Sequence, residues 1–323
     1  MLPAEKSSYS RKTVTSPQKL SAALILALTI CTTGCLSSLQ KHGTALANAT
    51  APVVQSAGPT YQEANQVNEM WQDYDAAYSF DLPSTVYNPR NIKPFLTDKD
   101  IQTRLAVLNA FQVYVQSVVD ITNGVRSSQL DSAAQSAGAG ISAVATSLAP
   151  TIDAAVSLPA ATTSPITPEV TNGISTAANA LGQFLVSKKI KRELPAEIIK
   201  IDKPVQALCT LLISDLNVIQ GQEKRDYDQI INRQTLFLEK NPTLDPAERR
   251  TEIMKLPGIV RKEQQDEKQL ASLKTAIEKL ALTHHAIAAD AQGNNPESLR
   301  AKLSDLASAG SGLGAYYSSL PTQ

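Results

Sequence analysis

The clearest pattern in the chain is a pair of long stretches in which apolar residues recur every three or four positions. The stretches cover about 204–240 and about 246–291, and a short turn from Asn241 to Asp245 separates them. This spacing is typical of one face of an α-helix, so it predicts two antiparallel helices joined as a hairpin. At about 1.5 Å per residue, the first helix would be about 55 Å long, which predicts an elongated molecule.

A polar block interrupts each of these stretches at a similar distance from the turn. The blocks are Gln220–Asp226 and Arg261–Gln269. An antiparallel hairpin would therefore pair apolar with apolar segments and the two polar blocks with each other. The pattern predicts a charged two-helix arm at about 220–268 that projects beyond the rest of the bundle.

Paired carboxylates occur inside the first polar block. Glu223, Asp226 and Asp228 lie in a charged helical run, and such runs usually form a solvated helix face. We therefore expect these side chains to be exposed.

Further helices are predicted on both sides of the hairpin. Thr97 precedes Asp98 and Asp100, which is a typical helix start, and the helix that follows continues to about residue 122. Other helices are predicted at about 61–80, 125–148, 167–192 and 297–319. No stretch alternates as a strand does, so the sequence predicts an all-α fold: one elongated antiparallel helical bundle over 61–323.

The N-terminus has the pattern of an export signal. Four basic residues precede or border an apolar run, Leu20 to Ile30, and Thr32-Thr33-Gly34-Cys35 follows it. The run is too short for a transmembrane helix. A basic start, a short apolar run and a small-residue site predict that 1–34 is a cleaved signal peptide.

The sequence Thr32-Thr33-Gly34-Cys35 resembles the lipobox of bacterial lipoproteins. The resemblance implies cleavage between Gly34 and Cys35, a diacylglycerol on the Cys35 thiol, and membrane lipid as a partner. Leu36 resembles the residue that follows the cysteine in lipoproteins sorted to the outer membrane. The alternative is ordinary secretion with cleavage near Ala45–Ala49. The resemblance covers 1–35 and identifies no family for the remaining chain.

The composition after Cys35 changes in two steps. Residues 35–60 are rich in Ala, Ser, Thr and Pro with almost no charge, which predicts a lipidated cysteine followed by a tether.

Residues 132–187 hold two charges, Asp153 and Glu169, and a basic cluster follows at 188–192. We favour tight packing of this low-charge segment inside the bundle; its alternative is a hairpin that inserts into a bilayer.

The charge balance excludes one class of function. Lys plus Arg and Asp plus Glu both number 30, and removal of 1–34 leaves 26 basic and 29 acidic residues, a net charge of −3. A protein that binds nucleic acid by neutralising phosphates needs a basic surplus, so no nucleic-acid partner is expected.

Cysteine and histidine offer little for a metal or cofactor site. After cleavage and lipidation Cys209 is the one cysteine left, so no intramolecular disulfide can form. Its apolar neighbours predict a small buried side chain. The three histidines form no metal-ligand spacing, and no cofactor or metal is expected.

His284 is the strongest candidate for chemistry. It falls on the apolar stripe of Leu280 and Ile287, and hairpin symmetry places it near Asp202 or Lys203. Such a contact is either a pH-sensitive lock or part of a site; a buried structural histidine is the more frequent case. Nucleotide-binding, hydrolase and metalloprotease motifs are absent from the sequence, which favours a non-enzymatic protein.

Aromatic residues supply a candidate ligand surface. Seven of the fourteen aromatics beyond residue 34 lie between Tyr61 and Phe95. Trp71, Tyr74 and Tyr78 share one helix face, which is either a core stripe or a platform for sugars or apolar ligands.

Together these patterns predict a non-enzymatic, membrane-anchored bacterial lipoprotein on the periplasmic face of the cell envelope, at the outer rather than the inner membrane. It would act as a helical scaffold whose partner is another envelope protein or peptidoglycan, and an oligomer is compatible with the sequence. The alternatives are a membrane-active protein that inserts 132–187 and a periplasmic small-ligand-binding protein.

Overall fold

A computed structural model describes residues 17–80, 88–123, 194–292 and 301–311, with the backbone alone for 17–39 and 80. The four long helices are α1 (Pro17–Phe80), α2 (Asp98–Thr122), α3 (Leu194–Lys240) and α4 (Pro246–Ala291). A short 3-10 turn covers Pro89–Asn91, and residues 301–311 are also helical. No strand occurs in these ranges, which confirms the predicted all-α bundle.

The predicted hairpin is formed by α3 and α4. Asp245 caps α4 by accepting a hydrogen bond from the Ala247 amide at 2.8 Å, with Pro246 in the first turn. Arg249 Nη1 donates to the carbonyl oxygens of Leu238 at 2.9 Å and Asn241 at 3.3 Å. These bonds satisfy carbonyls at the end of α3, where a helix leaves them unpaired, and so they fix the turn.

One end of the hairpin differs from the prediction. Pro195 and Pro204 predict a short helix followed by the long one, whereas the structure has a single helix that starts at Leu194 and contains Pro204. A proline removes one helical hydrogen bond. Ile198 and Ile201 continue the buried stripe on the N-terminal side of Pro204, and their packing offsets that loss.

The start of α2 is as the sequence predicts. Thr97 and Asp100 form a reciprocal capping box: Thr97 Oγ1 accepts from the Asp100 amide, and Asp100 accepts from the Thr97 amide at 2.9 Å. By length and composition α2 could cross a membrane, but most of its apolar window is buried inside the bundle. Within the described residues it is therefore a core helix.

The prediction of a tether over 35–60 is wrong for residues 40–60, which belong to α1. Leu46, Val53 and Ala57 are buried in the main core. Small side chains let α1 approach α2 closely. A Cβ atom added at Gly43 would lie 3.5 Å from the side chains of Val118 and Val119. The threonine and serine hydroxyls of this segment bond to carbonyls four residues earlier: Thr50, Ser56 and Thr60.

The charged segment 220–268 is not a projecting arm, because α1 runs beside it. Asn68 Nδ2 donates to Asp226 at 3.1 Å, and Arg233 pairs with Asp75 at 2.7 Å. A second, smaller apolar cluster joins the three helices here: Val67, Tyr227, Ile230 and Ile259.

The main core contains a buried ion pair between α2 and α3. Arg104 Nε and Nη2 donate to the two carboxylate oxygens of Asp215 at 2.6 and 2.7 Å. The side chains are 1% and 2% exposed, and the Arg104 guanidinium lies 5.6 Å from the centre of the Tyr61 ring on α1. Three helices therefore meet at one charged contact.

Several predictions fall outside the described residues. They are the low-charge segment 132–187, the helices at about 125–148 and 167–192, and both ends of the last predicted helix. Cleavage of 1–34 and lipidation of Cys35 also stay predictions.

Arg104→Met is expected to lower the free energy of unfolding by about 3–5 kcal/mol, because it leaves the Asp215 carboxylate buried without its partner. Urea denaturation followed by far-UV circular dichroism measures the loss. Adding Asp215→Leu should recover much of it, since no charge then stays buried. Lys224→Met is the control: its pair with Glu263, at 3.8 Å, lies at the surface and contributes less than about 1 kcal/mol. An equal loss of stability in Arg104→Met and Lys224→Met would contradict the role of the buried pair.

Candidate functional site

The two polar blocks of the hairpin meet Glu63 of α1 in the interior. The resulting group of carboxylates is called the acidic cluster here: Glu63, Glu223, Asp226 and Asp266. Glu223, Asp226 and Asp266 are buried, so the expectation of a solvated face is wrong for Glu223 and Asp226; Asp228 is exposed, as expected. The physical reason is α1, which covers this side of the hairpin. The apolar spacing of the hairpin gives no sign of this third helix.

Most carboxylates of the acidic cluster accept a hydrogen bond or form an ion pair. Tyr227 donates its hydroxyl to Asp266, and Gln222 donates to Asp226 at 2.8 Å. Lys262 pairs with Glu63 and lies 3.4 Å from Asp266. Within the described part of the chain, the Glu223 carboxylate has no hydrogen-bond donor.

Burial makes this group of carboxylates hard to ionise. Burial raises the pKa of Glu223 to about 8, and the charges of Asp266 and Glu63 add to the effect while Lys262 opposes it. Burial also raises the pKa of Asp226 and of Asp266. Near neutral pH the cluster therefore holds a proton at Glu223.

Glu223 lies on the wall of a cavity of about 260 Å³ between α3 and α4. The other residues that line this space are Asn217, Gln220, Gly221, Lys224, Tyr227, Glu263 and Glu267. The cavity is thus acidic and amide-lined, and one buried carboxylate opens onto it.

A larger cavity of about 410 Å³ lies near the turn of the hairpin, between α1, α3 and α4, and is called the tip groove here. Its walls combine aromatic rings with charged groups. They are Asp73, Tyr74, Ala77, Tyr78, Arg233, Gln234, Phe237, Glu252 and Lys255.

Cations stack on the aromatic rings beside the tip groove. The Arg233 guanidinium lies 5.6 Å from the centre of the Trp71 ring and 4.8 Å from that of Tyr78. Lys240 Nζ lies 4.4 Å from the Tyr78 ring centre. These contacts are within the range of cation–π attraction and hold the rings in place.

The predicted aromatic surface is therefore divided between two roles. Trp71 and Tyr74 pack against the smaller apolar cluster, as the core-stripe alternative expects. Tyr74 and Tyr78 also line the tip groove, as the ligand-surface alternative expects. Arg233 was not singled out from the sequence, because nothing in its local spacing marks it.

The structure places His284 against Asp202, as hairpin symmetry predicts. His284 Nδ1 donates to Asp202 at 2.9 Å, and the Tyr114 hydroxyl lies 2.9 Å from Nε2. His285 is exposed, yet its Nδ1 lies 2.6 Å from the second Asp202 oxygen. His284 and Tyr114 are buried, so the arrangement links α2, α3 and α4 and leaves neither ring nitrogen of His284 open to a substrate.

The pKa of Asp202 shows the strength of these contacts. Burial alone would raise it, but the hydrogen bonds from His284 and His285 outweigh burial and lower the pKa to about 2. Asp202 is thus ionised across the physiological range and holds both imidazoles.

Cys209 is buried in the main core, which agrees with its predicted role as a small apolar side chain. Burial raises the pKa of its thiol to about 12, so the reactive thiolate does not form near neutral pH. Among the described residues, no group of three or more His, Cys, Asp or Glu side chains is placed to hold a metal ion.

Comparisons with known proteins give no family for the chain: no protein-family model matches it, and neither does a curated protein or a solved structure.

Asp202→Asn is expected to destabilise the protein at pH 6 and to do so less at pH 2. The pKa of Asp202 is about 2 in the folded state against about 3.9 when unfolded. Its ionised form therefore stabilises the fold above about pH 4, and this contribution disappears as the pH falls through 2. Unfolding free energies at several pH values should show the two proteins converging by about 1 kcal/mol. Asp228→Asn, on the exposed face of α3, should show no convergence; the same slope in both variants would contradict the assignment.

Proposed function

We propose that the protein is a non-enzymatic, lipid-anchored helical scaffold on the periplasmic face of the bacterial cell envelope. Cys35 carries the lipid, and the tip groove binds another envelope protein or peptidoglycan. The proposal is supported chiefly by one observation: the chain immediately after Cys35 lies at the end of the bundle opposite the tip groove.

The position of that end follows from two contacts. Gln40 Nε2 donates to Asn123 at the C-terminus of α2. His42 lies 3.5 Å from Asp290 near the C-terminus of α4. We call this end of the bundle the base; the turn of the hairpin lies at the other end.

The bundle separates the base from the tip groove by a fixed distance. From Leu194 at the base to Arg233 in the groove, α3 advances 39 residues, which is about 58 Å. Gln40 already contacts α2 five residues after Cys35. A lipid on Cys35 would therefore hold the base against the membrane and the tip groove far from it, with no long flexible connection. This geometry suits a spacer that presents a binding surface at a set height.

The chemistry of the tip groove suits an amphipathic partner. Tyr74, Tyr78 and Phe237 offer rings that pack on sugars or apolar side chains. Glu252 and Lys255 offer charges of both signs. A peptide or a peptidoglycan strand presents matching apolar and polar groups.

Two observations support the non-enzymatic part of the proposal. His284 is enclosed by Tyr114 and Asp202, and Cys209 is buried in an apolar core. Neither side chain can reach a substrate in this arrangement. The membrane-active alternative concerns 132–187, outside the described residues.

Replacing Cys35 with Ala tests the anchor. We expect the wild-type chain from membrane fractions to begin at Cys35 and to carry the mass of a diacyl or triacyl modification. The Cys35→Ala chain should be unprocessed or released from the membrane, because it lacks the thiol that accepts the lipid. Mass spectrometry of the N-terminus measures both. An unmodified wild-type N-terminus near Asn48 or Thr50 would contradict the proposal.

A photo-crosslinking residue tests the tip groove as the partner surface. Placed at Phe237, it should join an envelope protein or a peptidoglycan fragment in intact cells, because this position lines the groove. The matched control is Thr210, an exposed position on the same helix nearer the base. Mass spectrometry identifies the adducts. Equal capture from both positions, or adducts with this chain alone, would count against the groove.

A further inference from the structure

We propose that the cavity beside Glu223 is a binding site for a small organic cation with primary ammonium groups, such as a short aliphatic diamine or polyamine. This site is separate from the tip groove and does not depend on its role.

The first observation is the state of Glu223 itself. Its side chain is buried, with the residue 4% exposed, yet it lines an open cavity and receives no hydrogen bond from the described residues. A buried carboxylate without a partner is strongly unfavourable when ionised. Its position therefore favours a proton on Glu223, or a cation beside it in the cavity, over an unpaired charge.

The second observation is the excess of negative charge around the cavity. Glu263 and Glu267 line it from α4, and the rest of the acidic cluster lies behind Glu223. The nearest cations are held by other groups or extend towards solvent. Lys262 is held by Glu63 and Asp266, and Lys274 is held by Asn217 and Gln220 on the cavity wall. Lys224 lines the cavity, but it is 69% exposed and lies 3.8 Å from Glu263.

The third observation indicates which kind of cation suits the walls. The side-chain oxygens of Asn217 and Gln220, which line the cavity, both accept hydrogen bonds at 2.8 Å from the ammonium group of Lys274. The wall thus already binds an alkyl ammonium. The Tyr227 side chain adds a ring surface that packs on methylene groups and attracts cations.

Size and spacing restrict the ligand further. The cavity, about 260 Å³, lies slightly below the usual range for sites of drug-sized ligands. Glu263 and Glu267 are four residues apart on one helix face, which places their Cβ atoms about 6 Å apart. A short diamine can therefore place one ammonium on Glu223 and the other between Glu263 and Glu267.

Cation binding at this site displaces a proton. The groups that face Glu223 are Glu63 from α1, Asp226 and Lys224 from α3, and Lys262, Glu263, Asp266 and Glu267 from α4. Near neutral pH Glu223 is protonated, because burial raises its pKa to about 8. The ammonium binds the ionised form, so up to one proton leaves per ligand. Because only protein with ionised Glu223 binds the ammonium, the apparent affinity is the intrinsic affinity multiplied by the ionised fraction. That fraction increases with pH, and the apparent affinity therefore increases with it.

The experiment is isothermal titration of the full chain with 1,4-diaminobutane. We expect 1:1 binding, with a heat that depends on the ionisation enthalpy of the buffer because a proton is released. The affinity should increase at least about tenfold between pH 6 and pH 8. Glu223→Gln should weaken binding at least about tenfold and remove the proton release, whereas Glu239→Gln, exposed on the same helix outside the cavity, should bind as the wild type does.

Two further ligands separate the explanations. Butane-1,4-diol has the same chain without charge and should not bind. Calcium ion tests a metal site, and tighter binding of calcium than of the diamine would overturn the proposal. So would the absence of diamine binding at millimolar concentration, or diamine binding that Glu223→Gln leaves unchanged. Should Glu223→Gln fail to fold, the wild-type proton release and the comparison with the diol decide the question.

Discussion

The bundle depends on the buried pair of Arg104 and Asp215. It lies where α1, α2 and α3 meet, and the bidentate contact tolerates little sliding or rotation of one helix against another. Apolar side chains alone would accept several alignments of long helices, since their contacts are not directional. A buried charge allows a single alignment of the helices, because any other alignment leaves the charge unpaired. The pair therefore fixes how α2 packs on the hairpin.

Similar polar contacts recur along α3 at different heights. Asp202 binds His284 and His285 near the base, Asp215 binds Arg104 in the middle, and Tyr227 binds Asp266 towards the tip. Each contact joins α3 to another helix. Together they define the register of the hairpin and of the helices packed against it. Glu223 is the exception on α3, because it has no such partner and opens onto a cavity.

The sequence predicts those features that depend on local pattern or on symmetry. The hairpin and the contact of His284 with Asp202 follow from apolar spacing mirrored about the turn, and the start of α2 follows from Thr97 and Asp100. The role of 40–60 was not predictable in this way, because most of its buried side chains are Ala, Ser or Thr, and Leu46, Val53 and Val54 alone give a weak apolar pattern. Without α1 the burial of Glu223 could not be foreseen. The buried ion pair does have a sign in the sequence: the charged residue Asp215 lies between Leu212 and Leu216 on the apolar stripe.

The continuity of α1 has a mechanical consequence. From Cys35, the proposed N-terminus after cleavage, this helix runs unbroken to Phe80, and it contacts α2 near the base, the acidic cluster in the middle and Arg233 near the tip. A pull on its N-terminus acts along the helix axis and loads all these contacts in parallel, as shear. Peeling would break them one after another at a smaller force. A chain held by its N-terminal end is thereby attached through the whole length of its bundle.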